Sequence, residues 1–158
     1  MTTTTDRTRI SADPDVPLIR IEREFDAPRS NVFRAHVDPE LVAQWLGPRD
    51  LTMRVEHFDC RTGGSYRYVH LRGEEEYGFR GSFHEVRPEE LIVQTFSFDG
   101  DPDGVALERL VLEDLGDGRT RLVATSLCDS FAARDAMLAS GMSDGIQQSY
   151  ERLDELLA

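Results

Sequence analysis

The sequence predicts an α+β fold: a curved antiparallel sheet of about seven strands wrapped around one long C-terminal helix, with two short helices between strands one and two. Three observations predict it. From Leu51 to Leu127 apolar residues recur at roughly every second position, in runs separated by tight turns such as "RTGG" and "GDG". From Met142 the spacing changes to alternating fours and threes, which is one stripe on a helix. Ahead of both lies a single strand followed by two short segments that carry proline at their starts.

The opening "MTTTTDRTRISADPDVP" is rich in Thr, Asp and Pro and has no apolar stretch of the kind a secretory signal needs. Residues 1–17 therefore read as a disordered lead-in, and residues 18–158 as one domain. "LIRIEREF" alternates imperfectly and reads as the first strand. In "DAPRSNVFRAHV", Pro28 suits a first helical turn, and Val32, Phe33 and Val37 share a face. "DPELVAQWLGP" is a second short helix. Asp38 is its cap, Pro39 its first residue, and Gly47-Pro48 its stop. A helix this short does not persist alone in water, so packing by Leu41, Val42, Trp45 and Leu46 must hold it.

Six strands follow. They are "LTMRVEHF", "SYRYVHL", "YGFRGSFHEV", "LIVQTFSF", "VALERLVLEDL" and "RTRLVATSL", with "DGDPDG" read as a loop. Connections this short make the strands antiparallel neighbours. "FAARDAMLAS" reads as a short helical region. Met142, Ile146, Ser149, Leu153, Leu156 and Leu157 form the stripe of the long helix.

Composition removes several function classes. The net charge is −12, and all 18 basic residues are Arg, in no patch. A nucleic-acid binder or a protein drawn to anionic lipid would show a basic surface, so neither partner is expected. No apolar window is long enough to span a bilayer. Cys60 and Cys128 fit no ligand spacing and read as reduced thiols, which suits a cytoplasmic protein.

The stretches "FDAPRSNVFRAHVDPELVAQWLGP", "FDCRTGGSYRY", "GFRGSFHEVRPEELIVQTF", "GDGRTRLVATS" and "SGMSDGIQQSYERLDELL" occur in an order that resembles one family. It is the START-related, birch-pollen-allergen-like (SRPBCC) superfamily. Within it, the sequence is similar to the bacterial stand-alone relatives of the C-terminal domain of the heat-shock-protein-90 ATPase activator. The resemblance covers nearly all of residues 18–158 and implies the helix-grip fold. Leu46 and Ile146 stand where the family often has aromatic residues, which implies a reshaped cavity. The separate N-terminal domain of the eukaryotic activator has no counterpart here, which weakens the chaperone reading.

Catalytic and cofactor patterns are absent from the sequence. "RTGGS" lacks a phosphate-binding glycine pattern, there is no GxSxG, and His36, His57, His70 and His84 have no metal-ligand spacing. No catalytic residue, metal or cofactor is assigned. The candidate site is a cavity between sheet and long helix, lined by Trp45, Tyr66, Tyr68, His70, Tyr77, Phe79, Phe83, Met142 and Ile146. His70 shares a strand face with Tyr66 and Tyr68. It reads either as a solvated strand-end group or as the polar group that fixes a ligand. Glu85 reads as a strand-end charge, and the register of Thr95 is open.

The first expectation is therefore binding of an apolar or aromatic small molecule. A cyclase- or aromatase-like enzyme comes second, as the superfamily resemblance implies. A chaperone-related or other protein-interaction role comes third. Monomer and homodimer are both open.

Overall fold

The computed structural model describes residues 2–4 and 7–158. Its strands are β1 (Thr2–Thr4), β2 (Thr8–Ala12), β3 (Leu18–Phe25), β4 (Thr52–Phe58), β5 (Ser65–Arg72), β6 (Glu75–Arg87), β7 (Leu91–Phe98), β8 (Asp101–Gly116) and β9 (Arg119–Leu127). Its helices are α1 (Arg29–Val37), α2 (Pro39–Trp45), α3 (Phe131–Ala139) and α4 (Met142–Leu157). The strands form one antiparallel sheet in the order β1-β2-β3-β9-β8-β7-β6-β5-β4. The chain is thus α+β, with the sheet curved around the C-terminal helix.

The sheet has nine strands among the described residues rather than about seven. The additions come from the segment expected to be a disordered lead-in. Asp13 turns the chain there: its carboxylate accepts the backbone N–H groups of Asp15 and Val16, at 2.8 and 3.1 Å. That turn folds β2 back onto β3, with Ile10 opposite Ile21. Thr8 and Ile10 are both buried. The alternation that marks β2 is only Thr8, Ile10, Ala12, too brief to read in a polar stretch. Residues 1, 5 and 6 lie outside the described residues.

A second difference concerns "DGDPDG". Only Asp99 and Gly100 separate β7 from β8, so the expected loop is a tight turn. Pro102 is tolerated because β8 meets β9 only from Leu107 onward, so its missing N–H breaks no ladder bond on that side.

Strand pairing defines the concave face. The cross-sheet row Ile19, Ser126, Glu108, Gln94, Phe83 runs through β3, β9, β8, β7 and β6. The adjacent row is Ile21, Ala124, Leu110, Ile92. β5 presents Tyr66, Tyr68 and His70 to the same side, all buried. A bulge between Phe83 and Glu85 shifts the register of β6. It puts Val86 against the aromatic cluster and leaves Glu85 at the margin, where its carboxylate faces Arg87 at 3.9 Å.

Helix α4 lies on this face. Arg23 of β3 is buried and grips Asp154 of α4 with both guanidinium nitrogens, at 3.0 and 2.6 Å. Tyr150 meets Phe25 edge-on, with ring centres 5.5 Å apart. Tyr150 is buried although the predicted stripe omitted it; the stripe is one residue wider than the four-three rhythm suggested.

The short helix α2 is held as its length requires. The Asp38 side chain accepts the Glu40 N–H at 3.0 Å. At the other end, Arg152 of α4 donates to the carbonyls of Gln44 and Gly47, at 2.8 and 3.1 Å. The Gly47 N–H donates in turn to Ser149 Oγ at 2.8 Å. Gly47 has φ +101°, and a Cβ there would lie 2.5 Å from His70 Cε1, so both backbone and space demand glycine.

Candidate functional site

The aromatic set predicted from β5 and β6 assembles. Tyr66 and Tyr68 stack at 5.9 Å, Tyr68 and Phe79 at 5.4 Å, and Phe79 and Phe96 at 5.3 Å. Phe83 packs against Tyr66 at 5.2 Å, and both are almost fully covered. Alternation on β5 and β6 brings these rings to one face, and antiparallel pairing of Tyr68 with Phe79 brings them together.

Three of the predicted residues, His70, Tyr77 and Phe79, also line an open pocket of about 320 Å³. Its other walls are the segment after α2 (Pro48, Asp50, Leu51) and the start of α4 (Gly141, Asp144, Gly145, Gln148). Tyr77 sits at the rim, with its hydroxyl on the Glu75 carboxylate. His70 is buried at the wall, and its Nδ1 has no hydrogen-bond partner. Burial pushes its pKa below the ordinary histidine value; the Thr52 backbone partly offsets this, and Arg152 adds to the lowering. Burial thus favours the neutral ring, whose Nδ1 is left without a partner at the pocket wall.

Trp45 sits apart from these rings. It is 4% exposed, stacks on Tyr150 at 6.2 Å and touches His36 edge-on at 4.8 Å. Met142 and Ile146 of α4 pack against the same core as Trp45 but keep part of their surface uncovered.

Sequence reasoning missed Glu108. It stands in the middle of the concave face, between the β7 residue Gln94 and the β9 residue Ser126. Gln94 Nε2 donates to one carboxylate oxygen at 3.2 Å and Ser126 Oγ to the other at 3.3 Å. Gln94 Nε2 also donates to the Tyr66 hydroxyl at 3.2 Å, and that hydroxyl donates to the Thr95 carbonyl at 2.7 Å. Protein surrounds Glu108, yet the residue keeps some accessible surface. Phe79, Gln94, Phe96, Leu110 and Ala124 on the same face do too. Their cover is less complete than that of Tyr66, Phe83 and Leu122 on the same sheet.

Desolvation raises the Glu108 pKa from 4.5 to about 7, against the lowering effect of Ser126 and Gln94. The folded chain thus holds a proton that the unfolded chain has released over that interval. Stability should fall as pH rises from 4.5 to about 7, and the cost should persist above it. At roughly 1.4 kcal/mol per unit this is at most about 3.5 kcal/mol, and less for the surface that stays accessible. Glu108→Gln should accordingly raise the melting temperature by several degrees at alkaline pH and hardly at all near pH 4.5. Melting curves across that range check it; equal shifts at both ends would contradict the assignment.

A curved antiparallel sheet gripping a long C-terminal helix, with an aromatic concave face and an opening at the helix start, defines the helix-grip class. The chain belongs to the Activator of Hsp90 ATPase homolog 1-like protein family, whose model matches residues 26–158. Among solved structures it is similar to protein CV1439 from Chromobacterium violaceum, at 30% identity and TM-score 0.77, covering 89% of this chain and 96% of that one. A Rhodobacter sphaeroides protein is similar at 27% identity and TM-score 0.85, covering 94% and 97%. DynU16, from the dynemicin biosynthetic locus, shares the fold at 24% identity and TM-score 0.67, covering 89% of this chain and 48% of that one. No curated protein matches the chain. No helix among the described residues is long and apolar enough to cross a membrane.

Proposed function

We propose that this chain is a cytoplasmic protein that binds an apolar or aromatic small molecule between the concave face of its sheet and α4. The observation that carries the reading is the incomplete cover on that face. Phe79, Phe96, Leu110, Met142 and Ile146 point into the interior but keep accessible surface, in a protein otherwise able to bury its core fully. Tyr66, Tyr68 and Phe83 form the floor, His70 and Tyr77 stand at the opening, and Trp45 fixes the short helices above. The two cysteines are free thiols, which supports a reducing compartment.

Native mass spectrometry of the protein purified from its own host tests this. A retained small molecule, released on denaturation, is the expected result. Protein of bare mass that also gains no thermal stability from a broad panel of apolar compounds would overturn the reading, because any ligand specific to the folded state raises stability.

Of the other readings, a cyclase- or aromatase-like enzyme gains some support from Glu108, a carboxyl that titrates near neutral pH. A chaperone-related role rests on the family alone. Turnover lost in Glu108→Gln would favour the enzyme, and stimulated ATP hydrolysis by a chaperone would favour the third reading.

A further inference from the structure

We infer that the interior holds a built polar centre, Glu108 with the Tyr68 and Tyr150 hydroxyls, and that it selects apolar ligands carrying a protonated amine. The inference rests on the ligand-binding reading and names the class of ligand.

Three elements aim polar atoms at this space. Glu108 comes from β8, Tyr68 from β5 and Tyr150 from α4. Both tyrosines are 7% exposed, and neither hydroxyl has a hydrogen-bond partner among the described residues. Neither is sealed in protein either, since among the described residues the one fully enclosed polar side-chain atom without a partner is His70 Nδ1. A buried polar group left unpaired costs free energy, so unpaired hydroxyls bordering an interior space are places for a ligand's polar atoms. Gln94 Nε2 joins the Glu108 carboxylate to the Tyr66 hydroxyl, at 3.2 Å each, and the Tyr66 ring stacks on Tyr68 at 5.9 Å. The Glu108 charge also raises the pKa of the Tyr68 and Tyr150 hydroxyls.

The charge balance there is one-sided. Glu108 makes no ion pair among the described residues, and its partners Gln94 and Ser126 are neutral. The groups facing it are Tyr66 and Tyr68 from β5, Gln94 from β7, Ser126 from β9, Cys128 just beyond β9, and Tyr150 from α4. The aligned residues of β6 are Phe79, Gly81 and Phe83. Arg23 of β3 is committed to Asp154 and Thr8, and Arg134 of α3 to Asp135 and the Asp13 carbonyl. A carboxylate in low dielectric with no protein cation pairs strongly with a cation brought by the ligand. The stacked rings of Tyr66, Tyr68, Phe79 and Phe96 offer π faces to the same ammonium. A ligand carboxylate would meet Glu108 with like charge and no counter-ion. This disfavours fatty acids and aromatic acids.

Three matched probes test it: naphthylethylamine, naphthylethanol and naphthylacetic acid, titrated calorimetrically at about pH 8, where Glu108 is ionised and the amine protonated. The amine should bind at least about tenfold more tightly than the alcohol, the expected worth of a charge-assisted hydrogen bond, and the acid should bind more weakly than either. Glu108→Gln should abolish the amine's advantage over the alcohol when both are measured on that variant, and a cooperative melting transition shows that the variant is folded. Acidification to about pH 5.5 should do the same in the unaltered protein by protonating Glu108. Amine and alcohol binding equally, or an amine preference that survives Glu108→Gln, would overturn the inference and leave the apolar-ligand reading standing. No binding of any of the three would overturn both.

Discussion

Trp45→Ala should cost about 3–5 kcal/mol of folding stability, the largest loss expected from any single apolar truncation in this chain. The side chain is 4% exposed and joins three helices: α2, which carries it, α1 through His36, and α4 through Tyr150. Its indole N–H has a further task. It donates to the Ala35 carbonyl at 2.8 Å. In a continuing helix that carbonyl would take the N–H four residues on, but residue 39 is proline and has none. Trp45 supplies the missing donor and so lets α1 turn into α2 without an unpaired buried carbonyl. Trp45→Phe should therefore fall between wild type and alanine, keeping most of the apolar area and losing about 1–3 kcal/mol for the orphaned carbonyl. Urea unfolding of the three proteins measures this; a loss below about 1 kcal/mol for alanine would show that the lid helices are held mainly by something else.

Asp154→Ala should be comparably damaging. Arg23 lies almost wholly inside the protein, with its guanidinium over the Phe25 ring at 4.8 Å. The bidentate pair with Asp154 ties α4 to β3, while Thr8 and the Glu24 carbonyl take further N–H groups at 3.1 and 2.8 Å. Removing the carboxylate leaves a buried cation without its counter-charge, which typically costs about 3–5 kcal/mol. Replacing both partners, as Arg23→Met with Asp154→Leu, should recover most of the loss, because the cost lies in the stranded charge rather than in the missing bridge. A single variant with near wild-type stability would mean that Thr8 and Glu24 satisfy Arg23 unaided.

Much of this was legible in the sequence, for reasons visible in particular residues. Tyr66, Tyr68 and His70 recur at every second position of β5 and share a face, and the cap-and-stop signals of α2 are those the structure uses: Asp38, Pro39, Gly47. What escaped was set by contacts distant in the chain. β2 depends on a turn at Asp13 and on a partner strand that hides Thr8 and Ile10. Tyr150 belongs to the core because Trp45 and Phe25 meet it there. Glu108 was overlooked because a charged residue in "VALERLVLEDL" reads as solvent-facing. Its alternation with Ala106, Leu110 and Leu112 nonetheless put it on the inner face, and that was the available signal. The bulge after Phe83 broke the period that would have carried Glu85 inward. On the site itself, the rings of Tyr66, Tyr68, Phe79 and Phe83 gather as their spacing implied. The meeting of Glu108 with Gln94 and Ser126 from the two neighbouring strands needed the fold to be seen.

The central claim, an apolar ligand held between sheet and α4, is tested most directly by a protein NMR titration with naphthylethanol that follows aromatic and methyl resonances. The account predicts shifts and intermolecular contacts at Tyr68, Phe79, Phe96, Leu110, Met142 and Ile146. It predicts none at the outward-facing Val105 and Leu107, which are 43% and 44% exposed. Perturbations confined to that outer surface, with the inner rings and the α4 methyl groups unmoved, would contradict it.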